Sequence, residues 1–345
     1  MKPLLLVLIS LLLVKRNAAQ QQTNLVLDQL VQAFIQEQGI PTSVVAPVRT
    51  DTTYYGKAGM NKKARGTATS FMAMKLVEEK KITLDVLFFD YFPNLKAISN
   101  SAYHTMTLGD LLRHQAGIRA YTSGLEFKEL PEMGTKLSER KLNFVKAVLA
   151  QTPVNKGAYS NAGYVLASLL LEQIAGMSYE ALLEATMQAL QLDYVLGAPN
   201  QKRLTNPWGH WEENGVLLAH RPEHPYQLED FMLPAGNLSM NIVDYVQFIQ
   251  AHLQRLTGTS NYLKASSYQR LHYGLEDYSY GWRNERIGGH LASSHDGSLG
   301  TFYAHTILIP SLDIAVIILT NSAEEAHIEA IYQLRGKLMR LREQF

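Results

Sequence analysis

Tyr159 and Asn161, two residues apart, are the first side chains whose chemistry suggests a function. A phenol can exchange a proton and a side-chain amide can both donate and accept hydrogen bonds, but on its own the pair is a weak signal of chemistry. A structural interpretation fits the same residues, because Ser160 or Asn161 could cap a helix while Tyr159 packs its ring. The pair alone therefore leaves a catalytic and a structural hypothesis open.

A second short motif, His295-Asp296-Gly297 followed by Ser298, lies far downstream, just before apolar segments typical of strands. Histidine can exchange protons near neutral pH, and a glycine in a strand lets another backbone approach closely. The alternative for His295 is a half-buried side chain at the start of a strand. The two motifs can share a cleft only if the fold brings them together.

The helices that would position these motifs are indicated by apolar residues at helical spacing. The segment after Asn161 is apolar nearly all round until Gly176, which indicates a buried helix. Residues 207–234 are rich in Trp, His, Pro and Gly and are predicted to form loops over a cleft. Further helices are predicted at residues 25–38, 69–81, 106–118, 138–150, 179–190, 242–256 and 324–343.

Alternating or continuous apolar runs predict the strands. A hairpin is predicted from residues 43–49 and 52–55, with further strands at 280–282, 292–294, 301–309 and 314–320. This order of elements predicts an α+β fold, in which an antiparallel β-sheet is flanked by N- and C-terminal helices and carries an inserted mainly helical region. The sheet region is placed at about residues 25–60 and 280–345, and the helical region at about residues 68–270.

The composition describes an ordinary globular protein with a full core. Hydrophobic residues make up 46% of the 345 residues and charged residues 18%. The formal net charge of +1 gives no basic field for nucleic acid, so a nucleic-acid partner is not expected. The chain has no cysteine, so it can carry neither a disulfide nor a lipid-modified cysteine.

The N-terminal segment predicts export. Lys2, an apolar run over residues 4–14 and the small residues Ala18 and Ala19 are typical of a signal peptide over residues 1–19. One domain would then occupy residues 20–345, and the mature protein would be secreted or periplasmic. Lys15 and Arg16 directly after the apolar run leave an uncleaved membrane anchor as the alternative.

Together the motifs resemble the serine β-lactamase and penicillin-binding-protein superfamily, in particular its class C-like esterases and D-alanyl-D-alanine peptidases. Tyr159-Ser160-Asn161 is similar to the family's Y-x-N motif, and His295-Asp296-Gly297 lies where the family carries K-T-G or H-x-G. The resemblance runs in order from about residue 25 to the C-terminus. It is also carried by residues 74–85, 106–118, 206–210, 234–236 and 314–322.

The resemblance implies a serine hydrolase that transfers acyl groups from an amide, a lactam or an ester in a small molecule or cell-wall peptide. It gives Tyr159 the role of a general base shared with the family lysine, for which Lys63 is the candidate. His295 would line the far wall of the cleft, and Asn161, Gly297 and Ser298 would bind the substrate. No cofactor and no metal are implied.

The family's S-x-x-K motif is where this sequence departs from the resemblance. Counting back without gaps from residues 76–79 places Lys63 at the serine position and Gly66 at the lysine position. In the other register, Met60 replaces the serine and Lys63 keeps the lysine. Neither register supplies a nucleophile, because a methionine thioether has no proton to lose. We interpret residues 56–67 as the site of a deletion that removed the motif.

Two other serines are candidate substitutes. Ser70 is the nearest serine, but it lies about two helical turns from the family's serine position. Ser138 and Lys141 form the only S-x-x-K in the chain, in a charged segment far from the expected place, and are interpreted as a coincidence.

Two hypotheses from different classes follow. The first is a β-lactamase-related serine hydrolase that is catalytically impaired because its nucleophile is missing. The second is a non-catalytic binding or scaffold protein on the same fold. A metal hydrolase is a third alternative, but the sequence has no H-E-x-x-H, and the pair His220 and His224 has Pro222 between its members.

Overall fold

The computed structural model describes residues 2–58, 67–122, 125–197, 206–221, 229–258, 262–299 and 301–345, with side chains from residue 19 onward. The helices are α1 Lys2–Gln38, α2 Thr67–Glu78, α3 Phe88–Tyr91, α4 Pro93–Lys96, α5 Leu108–Leu112, α6 Leu137–Ala150, α7 Asn161–Ala175, α8 Tyr179–Leu190, α9 Ile242–Leu256, α10 Ala265–Tyr273 and α11 Glu325–Arg340. The strands are β1 Ser43–Val48, β2 Gly56–Ala58, β3 Val195–Leu196, β4 His210–Glu213, β5 Val216–Ala219, β6 Leu238–Ser239, β7 Arg283–Ile287, β8 His290–Ser298, β9 Tyr303–Ile309 and β10 Ile314–Thr320.

A six-stranded sheet in the order β2-β1-β10-β9-β8-β7 forms the centre of the fold. Every neighbouring pair is antiparallel, so the predicted α+β class and antiparallel sheet are confirmed. The chain's two ends meet in this sheet, because β1 pairs with β10 along its whole length.

Alternation along the strands gives the sheet two apolar faces. Val45, Val316 and Ile318 pack with α1 and α11 on one face, which we call the back face. Ala46 and Ile317 point the other way, into a larger core formed with the helical region, which we call the front face. The sheet is therefore buried on both sides, as the predicted flanking helices require.

The first helix closes one edge of this sheet. The side chains of Asn24 and Asp28 on α1 accept hydrogen bonds from the backbone N–H groups of Tyr55 and Lys57, at 2.9 and 2.8 Å. The helix approaches so closely that a Cβ at Gly56 would lie 2.5 Å from the Cβ of Leu27, which leaves no room for any other residue there.

Four details of the sequence-based assignment need correction. The first helix begins at Lys2 instead of residue 25, so it is continuous with the apolar segment. The strand predicted at residues 52–55 is only an isolated bridge from Thr53 to Val48, and the ladder resumes in the same register at β2. Pro47 accepts the Tyr54 N–H at 3.0 Å but has no N–H to donate in return, so the ladder is interrupted there. Residues 280–282 precede the strand β7. Residues 207–234, predicted as loops, contain the hairpin of β4 and β5.

Across the part of the chain whose side chains are described, no helix has the length and apolar character needed to cross a membrane.

Candidate active site

The Tyr159-Ser160-Asn161 motif lies at the start of α7, where Ser160 is the N-cap. Its hydroxyl accepts the Gly163 N–H at 3.0 Å and donates to the Arg119 carbonyl at 2.8 Å. The Asn161 amide donates to the Tyr121 carbonyl at 3.0 Å. At the far end, Gly176 ends α7 with a φ of +68°, a conformation that glycine adopts without strain. The structural interpretation is therefore correct for Ser160, and the same capping fixes Tyr159 just outside the helix.

Tyr159 remains accessible although its neighbours are buried. Its side chain is 46% exposed, whereas Ser160 is 2% exposed. The ring centroid of Tyr159 lies 4.3 Å from that of His114. The phenol is thus exposed to solvent while its ring contacts the buried imidazole of His114.

His114 lies in the segment 106–118 that carries part of the family resemblance, but the sequence analysis gave it no role. It follows α5, whose N-terminus is fixed by reciprocal hydrogen bonds between Thr107 and Asp110. The backbone of His114 has a φ of +59°, and its side chain is 5% exposed. Burial, together with the nearby charge of His295, lowers the pKa of His114 to about 4, so the imidazole is neutral at physiological pH.

A cluster of polar side chains continues inward from His114, and we call it the front cluster: His114, Tyr278, Tyr164 and Ser70. The His114 Nε2 lies 3.2 Å from the Tyr278 hydroxyl, which hydrogen-bonds to Tyr164. The Tyr164 hydroxyl lies 3.1 Å from the Ser70 Oγ and donates to the Leu112 carbonyl at 3.0 Å. Burial raises the pKa of both Tyr164 and Tyr278, so both phenols stay protonated.

His295 lies on β8 and points to the front face. Its Nδ1 lies 2.9 Å from the Gly281 carbonyl, so this nitrogen carries the proton. The side chain is 8% exposed, and its ring lies 6.0 Å from that of Trp282. The ring of His114 contacts that of Tyr159 at an interplanar angle of 44°, and positive charge on His295 lowers the pKa of His114.

Gly297 and Ser298 follow His295 to the end of β8. They pair with Ala304 and Tyr303 of β9. Gly297 is buried and Ser298 is half-buried. Their assignment to substrate binding, like the roles given to Tyr159, Asn161 and His295, stays a prediction.

Asp296 points to the opposite side of the sheet and belongs to a second group, the back cluster: Asp296, His305 and Tyr332. Its carboxylate lies 2.7 Å from the His305 Nδ1 and accepts a hydrogen bond from the Tyr332 hydroxyl at 2.9 Å. Burial alone would raise the pKa of Asp296, but these two partners lower it to about 2. Asp296 therefore anchors β8 to α11 and lies outside the cleft.

Only some of the serine and lysine candidates lie in the described part of the chain. Lys63 and Met60 lie outside the described residues. Ser70 is fully buried within the front cluster, and a Cβ at Gly281 would lie only 3.3 Å from its hydroxyl. Lys141 forms an ion pair with Glu172 at 3.0 Å, and Ser138 is exposed. The interpretation of both serines stays a prediction.

No group of three potential metal ligands occurs among the residues that the structure describes. Of the histidine pair considered in the sequence, His220 lies in the described part and His224 lies outside it.

The comparisons with known proteins identify the family. The Beta-lactamase family model matches residues 27–336, and the chain belongs to this family. It is 24% identical over 292 residues to penicillin-binding protein 4 of Amycolatopsis lactamdurans, covering 79% of this chain and 75% of that protein. It is also 22% identical over 338 residues to protein flp of Staphylococcus aureus strain MW2, covering 90% of this chain but only 64% of that protein.

Solved structures share the fold at low sequence identity. The octameric penicillin-binding protein homologue from Pyrococcus abyssi superposes with a TM-score of 0.72 at 20% identity, covering 90% of this chain and 76% of that one. A class C β-lactamase from Rhodobacter sphaeroides gives a TM-score of 0.69 at 17% identity, covering 91% and 99%. These neighbours confirm the β-lactamase and penicillin-binding-protein fold.

Proposed function

We propose that the cleft between Tyr159 and the end of β8 binds small molecules or cell-wall peptides that carry an amide, lactam or ester carbonyl, and that acyl transfer is impaired. The observation that carries the proposal is the presentation of Tyr159: an exposed phenol, fixed by the Ser160 cap and supported by His114, in a chain of the Beta-lactamase family. Such a phenol can serve as a base or as a hydrogen-bond donor to a bound carbonyl.

Impairment is supported by what surrounds Tyr159 in the described residues. Acyl transfer needs a hydroxyl or thiol within hydrogen-bond reach of its base. Ser70 is buried and hydrogen-bonded to Tyr164, and Ser138 is on the exposed surface of α6. The two sequence registers offer Met60 or Lys63 at the nucleophile position. The second candidate function, a binding or scaffold protein, is favoured by the same burial of Ser70.

Covalent labelling tests the proposal. We expect that incubation with a penicillin or a fluorophosphonate, followed by intact-mass measurement, gives no stable adduct. A variant in which an S-x-x-K segment is inserted between Gly56 and Thr67 should acquire an adduct at the new serine. An adduct on Ser70 or Ser138 of the unchanged chain would contradict the assignment of the nucleophile position.

Equilibrium binding separates the two candidate functions. Titration calorimetry with a penicillin and with a D-Ala-D-Ala peptide should detect binding that Tyr159→Ala weakens by about tenfold, since a hydrogen bond to a carbonyl is lost. Asp193→Ala, on the surface after α8, is the matched control and should leave binding unchanged. If neither ligand binds, the scaffold function is favoured.

We also propose that residues 1–19 direct export and are removed. The support is the apolar run over residues 4–14 followed by Ala18 and Ala19. N-terminal sequencing of the exported protein should begin near Gln20. A retained Met1 on membrane-bound protein would instead indicate an anchor.

A further inference from the structure

One residue, His114, contacts the segment before α7 in three ways. Its carbonyl accepts the N–H of Gly157 at 2.9 Å. Its Nδ1 accepts the N–H of Ser160 at 3.1 Å. Its ring supports the ring of Tyr159 at a centroid distance of 4.3 Å. The backbone carbonyl, a side-chain nitrogen and the ring of the same histidine therefore contact three residues of the segment 157–160.

The backbone conformation of His114 makes these contacts possible. Its φ of +59° is in the left-handed region, which costs a non-glycine residue about 1 kcal/mol or more. The turn is closed by the Gln115 N–H, which bonds to the Asp110 carbonyl at 2.8 Å. In this conformation the imidazole is turned inward, under the Tyr159 ring, where a helical continuation of α5 would not place it. Strain of this kind persists where surrounding contacts hold it.

The hydrogen bonds define which ring nitrogen carries the proton. Because Nδ1 accepts from Ser160, the proton of the neutral imidazole is on Nε2. Nε2 can then donate to the Tyr278 hydroxyl at 3.2 Å. A protonated ring would point an Nδ1–H at the Ser160 N–H. This conflict adds to the effect of burial, so the neutral ring is required for the contact with Ser160.

We propose that His114 is a positioning residue of the cleft, which holds Tyr159 in its exposed orientation through the Nε2–H tautomer of a neutral imidazole. It acts through the Ser160 N–H and the Tyr159 ring and need not touch the ligand. The effect on ligand binding rests on the proposed function, whereas the tautomer and the state of Tyr159 do not.

The first test measures the tautomer in the full chain without ligand. Long-range ¹H–¹⁵N spectra at pH 7 should show Nδ1 of His114 unprotonated and Nε2 protonated. A protonated Nδ1 would overturn the proposal, because the contact with Ser160 could not exist in that form.

The second test compares two substitutions that both tolerate the left-handed backbone. His114→Gly removes the ring and the acceptor, whereas His114→Asn keeps an acceptor attached to Cγ. In the parent chain, the ring resonances of Tyr159 should report one ordered environment. In His114→Gly they should move toward those of a free tyrosine. Identical Tyr159 resonances in the parent and His114→Gly would overturn the proposal, provided that circular dichroism shows a folded protein.

The third test uses penicillin affinity. We expect His114→Gly to weaken binding about tenfold and His114→Asn to restore most of it, because the buried N–H of Ser160 regains a partner. His290→Asn, at the turn between β7 and β8, is the matched control. Equal losses in the Gly and Asn variants would overturn the role of the acceptor. If the parent chain binds no penicillin, the proposed function fails, while the tautomer and the Tyr159 resonances still decide the role of His114.

Discussion

The two faces of β8 use buried polar groups in opposite ways. On the front face, the Ser293 Oγ lies 2.8 Å from the Nδ1 of His272, an imidazole whose pKa burial lowers well below its usual value. On the back face, Asp296 keeps its charge, because His305 and Tyr332 hydrogen-bond to it and lower its pKa to about 2. One strand thus contacts a neutral imidazole on its front face and carries an ionised anchor on its back face.

The difference follows from the number of hydrogen-bond partners that a buried carboxylate or imidazole needs. A buried carboxylate is stable only with donors on both oxygens, and those donors tie the strand to α11. Neutral imidazoles and phenols need fewer partners when they are buried. The back face therefore secures β8 through a charge, whereas the Ser293–His272 contact on the front face involves no carboxylate.

Acidification should cause the largest loss of unfolding free energy. The buried histidines on the front side should cause this loss before Asp296 titrates. His252 lies 2.8 Å from His272, and burial lowers the pKa of His252 to about 3 and that of His114 to about 4. Since these groups protonate near pH 6.5 when unfolded, the folded state loses stability as the pH falls from about 6.5 through about 4. His114 alone corresponds to about 3 kcal/mol of unfolding free energy.

Urea denaturation at a series of pH values checks this expectation. The free energy of unfolding should already fall between pH 6.5 and pH 5, above the range in which Asp296 titrates. His252→Phe should make this slope shallower. An unfolding free energy that does not change over that pH range would contradict the neutral state of the buried histidines. An unchanged slope in His252→Phe would contradict the contribution of His252.

Removal of the Asp296 charge on the back face should cause the next largest loss of unfolding free energy. Asp296→Asn weakens the hydrogen bonds from His305 and Tyr332 and should lower the unfolding free energy at pH 7 by about 2–3 kcal/mol. Tyr332→Phe removes one donor and should cost less, about 1 kcal/mol. Since the Asp296 pKa is lowered, its stabilisation is full above about pH 4 and is lost as the pH falls through about 2.

Denaturation of both variants at pH 7 measures these costs. A loss for Tyr332→Phe as large as that for Asp296→Asn would mean that packing of α11, rather than the carboxylate, secures β8.

The smallest expected effect concerns the cap next to Tyr159. Ser160→Ala should cost about 1 kcal/mol of unfolding free energy, because the Gly163 N–H loses its partner. Ser178→Ala is the matched control, since Ser178 caps α8 in the same way by accepting the Ala181 N–H at 3.2 Å. Both variants should lose similar stability in thermal denaturation, but only Ser160→Ala should change the Tyr159 resonances. Equal spectra would show that the cap stabilises α7 without orienting Tyr159.

Local signals explain what the sequence predicted correctly. The start of α7 was recognisable because Ser160, the apolar run and Gly176 act within one helix. The sheet strands were recognisable from continuous apolar runs, since both faces of the sheet are buried. The family resemblance predicted the β-lactamase and penicillin-binding-protein fold, which the structural neighbours confirm.

Long-range contacts explain what the sequence did not reveal. Nothing in the residues near His114 indicates a left-handed backbone, because the turn depends on its contacts with Gly157, Ser160 and Tyr278. The burial of Ser70 follows from Tyr164 and Gly281, which are far away in sequence. Strand alternation places Asp296 opposite His295, but the partners on α11 become visible only in the fold.

The contact of α1 with β2 has a consequence for association with other chains. An edge strand with free N–H groups can pair with a strand of a second molecule. Here the outward N–H of Lys57 is already bonded to Asp28, so a helix side chain occupies the position of an incoming strand. The opposite edge, β7, carries the charged residues Arg283, Glu285 and Arg286. Both edges therefore disfavour intermolecular sheet extension, and this chain is protected at the two places where a buried antiparallel sheet is most prone to aggregate.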